Sequence, residues 1–332
     1  MLNQKNIHWS EYKEEAAGYW HIKLLLLMFR IFPVFFLRFC AFPVSFFYWL
    51  FSKRAREESR RYLEKIAALK TDMPKGPALS PLKHILAFSL TLVEKVEGWG
   101  GKVLFNRVHF QDDDIADLID RLERGEGALI VCSHLGNTEM FRALANYNRT
   151  GVSRKIRVTP VVDVSVTAMF NRMIRELNPH AEDGIVSTGS LGPETAILLL
   201  DRINAGELVV IAGDRTSINS RNKYISLPFL NEETAFPYGP FFLAALLNAP
   251  TYCMFALRRG DLSLSSQYEM HVHRSRVSFD CPRRERENRI RDLACLFAEK
   301  LEYYCKQHPY QWYNFYDFWT CPETPGAPPA EE

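Results

Sequence analysis

"ALIVCSHLGNTEMFRALAN", Ala128 to Asn146, is the stretch on which the fold turns. Its first five residues are apolar without polar alternation, as in a short strand covered on both faces. Gly136 and Asn137 then supply a turn, and "EMFRALAN" carries the apolar spacing of an amphipathic helix. Strand, turn and helix form the opening of a βαβ unit, and the chain on either side repeats the pattern. Strands are expected at Val103–Phe110, Ala128–Ser133, Ile156–Val162, near Ile185, and at Leu208–Ala212, Tyr224–Phe229 and Thr251–Leu257. Helices are expected at Leu82–Val96, over "DDDIADLIDRLERGEG", from Glu139, and at Val166–Leu177, Pro193–Asn204, Gly239–Leu247 and Arg283–Gln307, with a hairpin-like pair before the last. This alternation specifies an α/β protein with a central sheet flanked by helices.

The polar residues that end these strands carry the chemistry. His134 stands at the carboxyl end of a buried strand, where open α/β sheets form their ligand crevices. Glu139 opens the next helix, close enough for the turn to fold the two side chains together. A neutral imidazole takes a proton from an alcohol, and a carboxylate on its other nitrogen fixes the tautomer. A histidine that merely caps the turn fits the same spacing. Ser133 points to the opposite strand face, and Cys132, on the face of His134, reads as a small core residue. "VVIAGDRT" is a second buried strand ending on ionisable residues, Asp214 and Arg215. Either the two strand ends share one crevice, with Arg215, Arg221 and Lys223 holding an anion, or Asp214 and Arg215 form a structural pair. "HVH", His271 and His273, lacks the flanking ligands of a zinc site, so no metal or other cofactor is expected.

Outside this body the composition changes. Ile22 to Phe51 is packed with apolar and aromatic residues, yet Arg30 and Arg38 interrupt it and the longest uncharged run is 13 residues, Phe39 to Phe51, around Pro43. A simple span needs ~20 apolar residues, so a tilted span, a re-entrant hairpin and an in-plane helix all stay open. Ser52 to Lys70 follows with seven Lys/Arg against three Glu, a pattern that favours the cytoplasmic side of a membrane. The expected division is a membrane-associating segment and basic helix at 1–70, a catalytic domain at 71–320 beyond the proline-rich "TDMPKGPALSP", and a disordered tail at 321–332. A formal net charge of +2 gives no overall field for nucleic acid, and seven scattered cysteines point to reduced thiols. "QWYNFYDFW", Gln311 to Trp319, is too aromatic for an exposed tail and is expected to pack on the core or line an acyl pocket.

Taken together, the apolar N-terminus with its basic follow-on, "HLGNTE", "GDRT", "LPFLNEETAFPYGPFFLAALLNAP" and "QWYNFYDFW" resemble the lysophospholipid acyltransferase superfamily. In particular they resemble its bacterial lipid A biosynthesis (lauroyl/myristoyl) acyltransferase branch. The resemblance implies an acyltransferase-like α/β sandwich with a mixed sheet. It implies transfer of a fatty acyl chain from a thioester, acyl carrier protein, to a hydroxyl of a membrane glycolipid or lipid A-like acceptor. It also implies the cytoplasmic face of the inner membrane of a Gram-negative-type bacterium. His134 would be the general base, Glu139 its partner, and Asp214 and Arg215 substrate or carbonyl anchors, with Asn171 and Arg172 beside the crevice. "GDR" departs from the "DQ" often found in lipid A enzymes, which leaves the acceptor open. A lipid or thioester hydrolase using the same dyad, or a non-catalytic lipid-binding protein, would share most of these features.

Overall fold

The computed structural model describes residues 27–69, 79–100, 105–110, 114–146, 148, 150–163, 184–188, 192–215, 223–265 and 267–319. Its centre is the strand read first, β2 (Ala128–Cys132), every residue of which is buried. Leu129 and Val131 join one hydrophobic core and Ala128 and Ile130 another, so the strand is covered on both faces. Along the chain the sheet also takes β1 (Val108–Phe110), β3 (Val158–Val162), β4 (Val186–Ser187), β5 (Leu208–Ala212), β8 (Thr251–Arg258) and β9 (Tyr268–Arg274). The seven strands lie in the order β1-β9-β8-β2-β5-β3-β4. All neighbours are parallel except β8 and β9, which pair antiparallel from Tyr252–Arg274 to Arg258–Tyr268. The sheet is therefore mixed, and the α/β class holds. Between β5 and β8 a separate hairpin, β6 (Tyr224–Phe229) and β7 (Glu232–Pro237), turns through Leu230 and Asn231, both with positive φ.

The helices are α1 (Val34–Phe51), α2 (Lys53–Leu69), α3 (Pro81–Trp99), α4 (Asp114–Glu123), α5 (Glu139–Asn146), α6 (Pro193–Asn204), α7 (Tyr238–Leu247) and α8 (Arg286–Gln307). Two expected strand starts move, and the helix expected from Arg283 begins at Arg286. The first strand shortens to Val108–Phe110 behind a 3-10 turn at Phe105–Arg107, and the third begins at Val158. The helix expected at Val166–Leu177 lies outside the described residues.

Tyr62, Leu63 and Ile66 of the basic helix α2 belong to the main core, together with residues of α6, α7 and α8. Its charged residues are thus one face of a helix whose other face is structural. Helix α3 crosses to the sheet through a buried ion pair. Arg258, at the end of β8, donates from Nε to both Glu94 oxygens at 3.1 and 3.2 Å and from Nη2 to Oε2 at 2.8 Å; both side chains are 1% exposed. Thr91 accepts a further bond from Arg258 at 2.8 Å, and the Tyr268 hydroxyl donates to Glu94, so the carboxylate is fully surrounded. Among the described residues, α1 is the one helix long and apolar enough to cross a membrane by length and composition.

Candidate active site

Parallel pairing of β2 and β5 sets Cys132 opposite Ala212. Two residues further on, both chains have left the sheet, and His134 and Asp214 emerge side by side. The Asp214 carboxylate accepts the His134 backbone N–H at 2.8 Å on Oδ2 and the ring Nδ1–H at 2.8 Å on Oδ1. Trp312 Nε1 donates to the same Oδ2 at 3.1 Å. A carboxylate can only accept, so Nδ1 carries the proton and Nε2 keeps its lone pair. No described residue bonds to Nε2, and the His134 side chain keeps 37% of its surface while Asp214 keeps 1%.

Burial and then the Arg215 charge lower the His134 imidazole below its ordinary value, against the opposing pull of Asp214. The open third of the ring tempers the effect of burial, but the direction is the useful one, a neutral base at neutral pH. Burial alone would raise the Asp214 carboxyl. Attraction to His134 and the bonds it donates, followed by Arg215, outweigh burial and hold the group below the usual range, so it stays ionised.

Beyond Leu135 the turn after β2 is tied to its neighbours on both sides by backbone hydrogen bonds. Gly136 has a φ of +74°, and a Cβ there would sit 2.0 Å from the Ala256 carbonyl oxygen, so glycine is required twice over. That approach lets Asn137 N–H donate to Ala256 O at 2.7 Å, tying the turn to β8. On the other side the aromatic stretch near the C-terminus crosses the strand ends. Gly136 N–H donates to Gln311 O at 2.8 Å, Tyr313 N–H donates to His134 O at 3.2 Å, and Leu135 bridges Trp312. Arg215 Nη2 donates to Tyr313 O at 3.0 Å, with its guanidinium 5.5 Å from the Tyr316 ring centre.

A profile of the bacterial lipid A biosynthesis acyltransferases matches residues 5–320. The chain belongs to that family. Among curated proteins, no sequence matches it. Family membership makes the protein an acyltransferase of lipid A type, and the mixed α/β sandwich is the fold the resemblance implied.

In this lipid A-type acyltransferase the expected contact between His134 and Glu139 is not made. The Glu139 carboxylate instead accepts Trp99 Nε1–H at 3.2 Å and Arg142 Nη1–H at 3.5 Å, between α3 and α5. The cause is the sheet register, which delivers Asp214 directly to Nδ1, whereas the turn through Gly136 carries Glu139 toward α3. The ends of β2 and β5 do come together, with His134 and Trp312 on the Asp214 oxygens and Arg215 on the Tyr313 carbonyl. Asn171, Arg172 and Arg221 lie outside the described residues, and Lys223 is exposed. Cys132 is buried, and burial first, then the Asp214 and Glu139 charges, push its thiol far up, which removes it as a nucleophile. Ser133 spends its hydroxyl on the Leu135 N–H at 3.2 Å. His273 Nε2 bonds the Tyr304 hydroxyl at 2.8 Å and the His271 ring packs 4.6 Å from the ring of Tyr304. Sequence reasoning missed the part played by Trp312: its aromatic run was noticed, but nothing local shows an indole reaching a carboxylate 98 positions earlier.

Proposed function

We propose that this acyltransferase moves a fatty acyl chain from a thioester to a hydroxyl of a membrane glycolipid, with His134 as general base and Asp214 as the group that orients it. One observation carries the reading: the Nδ1–H of His134 is bonded to a buried carboxylate, and Nε2 is left with its lone pair. In the reaction Nε2 takes the proton of the acceptor hydroxyl as its oxygen attacks the thioester carbonyl. The tetrahedral intermediate collapses, the carbon–sulfur bond breaks, and the imidazolium returns the proton to the leaving thiolate. The ionised Asp214 stabilises the imidazolium between these steps. Arg215, beside the pair, is assigned to the carbonyl oxygen or an anionic group of the substrate. Glu139, held by Trp99 and Arg142 near the same crevice, is assigned to shaping the acceptor side rather than to the ring.

The donor is assigned as acyl carrier protein and the location as the cytoplasmic face of the inner membrane, where such thioesters and reduced thiols occur together. Arg283, Arg284 and Arg286 are exposed at the start of α8 and offer an acidic carrier a basic surface. Kinetics with carrier-protein and coenzyme A thioesters of one chain length, on wild type and on His134→Ala, test the reading. A His134→Ala enzyme with near-normal transfer would overturn the base assignment. Equal use of both donors, unaffected by salt or by charge reversal at the three arginines, would remove the carrier.

A further inference from the structure

We infer that α1 lies flat in one leaflet, its outer face among the acyl chains, and does not cross the bilayer. The inference deepens the membrane attachment contained in the proposed function and rests on it. By length alone α1 is ambiguous, since 18 residues make ~27 Å of helix against ~30 Å of hydrocarbon. Its packing separates the alternatives.

Leu37, Ala41 and Ser45, spaced by four, form the buried stripe of α1. Ala41 packs with Leu86 and Leu90 of α3, Leu37 packs with Val93 and Val96, and the Ser45 hydroxyl bonds Ser89 at 2.8 Å. Arg38, the charge that interrupts the apolar run, is turned inward on the same side. Its guanidinium donates to the Glu97 carboxylate and to Leu264 O at 2.6 Å, and the Arg38 and Glu97 side chains are 12% and 5% exposed. Arg107 reaches the other Glu97 oxygen at 3.2 Å. Helix α3 is in turn fixed to the sheet by Glu94 and Arg258. A crossing α1 would therefore drag this charged, sheet-bound assembly into hydrocarbon, where ionised groups are costly.

The opposite face is a row of bare rings, with Phe35, Phe39 and Phe51 70–78% exposed and Phe42, Phe46 and Phe47 also exposed. Such a surface fits acyl chains. At the C-terminal end Arg56 caps α1 by donating to Trp49 O at 2.6 Å and Leu50 O at 3.1 Å, and the exposed Lys53 and Arg60 lie next along the chain. An apolar helix face followed by exposed cations matches one leaflet of anionic lipid, chains beside α1 and headgroups beside α2.

The test uses the full chain in vesicles of phosphatidylethanolamine and phosphatidylglycerol, with a genetically encoded nitroxide amino acid at Phe35, Phe42 or Phe51. Depth is read from the relative accessibility to oxygen and to a water-soluble nickel complex, and acyl transfer confirms folding of each variant. An in-plane α1 gives the three positions depths within about one helical turn, ~5 Å. A spanning α1 spreads positions 35 and 51 over ~24 Å, passing the bilayer centre, and would overturn the inference while leaving membrane attachment and acyl transfer intact. Labels that stay in water at all three positions would overturn the inference and the membrane reading together. Arg38→Leu gives a second, label-free measurement: loss of vesicle-bound activity supports docking of α1 through Glu97, and unchanged or tighter binding with full activity counts against it.

Discussion

In the mechanism proposed, His134 and Asp214 act as one unit, and their variants should behave alike. His134→Ala is expected to lower kcat by ~10²–10⁴-fold with the fold intact, as circular dichroism and melting would show. Asp214→Asn should cost a comparable ~10³-fold, because an amide cannot hold the imidazolium and its NH₂ group can invert the tautomer. Glu139→Gln should fall well short of that loss, since its partners are Trp99 and Arg142; a drop as deep as that of Asp214→Asn would restore Glu139 to the ring. The acid limb of kcat/KM should lie below the ordinary imidazole pKa of ~6.5, because His134 is lowered and must be neutral to work. Removing the Asp214 charge, which favours the protonated ring, should move that limb lower still in the residual activity. His84 supplies a separate, structural titration. Fully buried between Ser59 Oγ at 2.9 Å and Trp312 O at 2.8 Å, it is pulled down to about 4 by burial, against the Trp312 carbonyl and Asp261. With the folded value depressed, its contribution is complete above pH ~6.5 and is lost as pH falls toward 4, for a total of about 3 kcal/mol. Urea unfolding of wild type and His84→Gln at pH 7.5, 5.5 and 4.5 should show the wild type losing more stability on acidification; parallel loss would remove His84 from the account.

Element by element, the site depends on how three strand ends and one aromatic segment are locked together. The Glu94–Arg258 pair is the lock between α3 and β8. Arg258→Met leaves a buried carboxylate short of its partner and should cost ~3–5 kcal/mol by chemical denaturation, whereas adding Glu94→Leu should recover much of the loss. No recovery in the double variant would mean that the cost lies in packing rather than charge. This pair was invisible in the sequence, since its members stand 164 positions apart and neither has a local signature. The strand ends themselves were legible. "ALIVC" and "VVIA" are apolar runs that stop on ionisable residues, and runs of that kind mark the ends of buried parallel strands. What could not be read was their order in space, because β2 pairs with β5 and β8 rather than with its sequence neighbours. For that reason the five-residue interval pointed from His134 to Glu139, while the bonded carboxylate came from the adjacent strand, 80 positions on.

For the molecule as a whole, the segment assigned here to the membrane and the body that carries the candidate site share one core across residue 70. Helix α2 buries Tyr62, Leu63 and Ile66 in the main core, each worth ~1.5–3 kcal/mol, against a net stability of ~5–15 kcal/mol for a typical domain. Deleting 1–51 should therefore yield folded protein with weakened membrane binding, and deleting 1–70 should yield aggregates. Fractionation and thermal melts of the two truncations decide this, and a stable, monodisperse 71–332 fragment would show the core to be independent of α2. The aromatic crossing at Gln311–Tyr316 has one more consequence, which lies in time rather than in space. Trp312 is translated about 180 residues after His134, an interval of roughly 10–35 s at 5–20 residues per second. Throughout it the ribosome holds a chain with α1 and His134 already made, but without the indole that bonds Asp214 or the backbone that braces His134. On the function proposed above, the nascent enzyme reaches lipid before it can act on it.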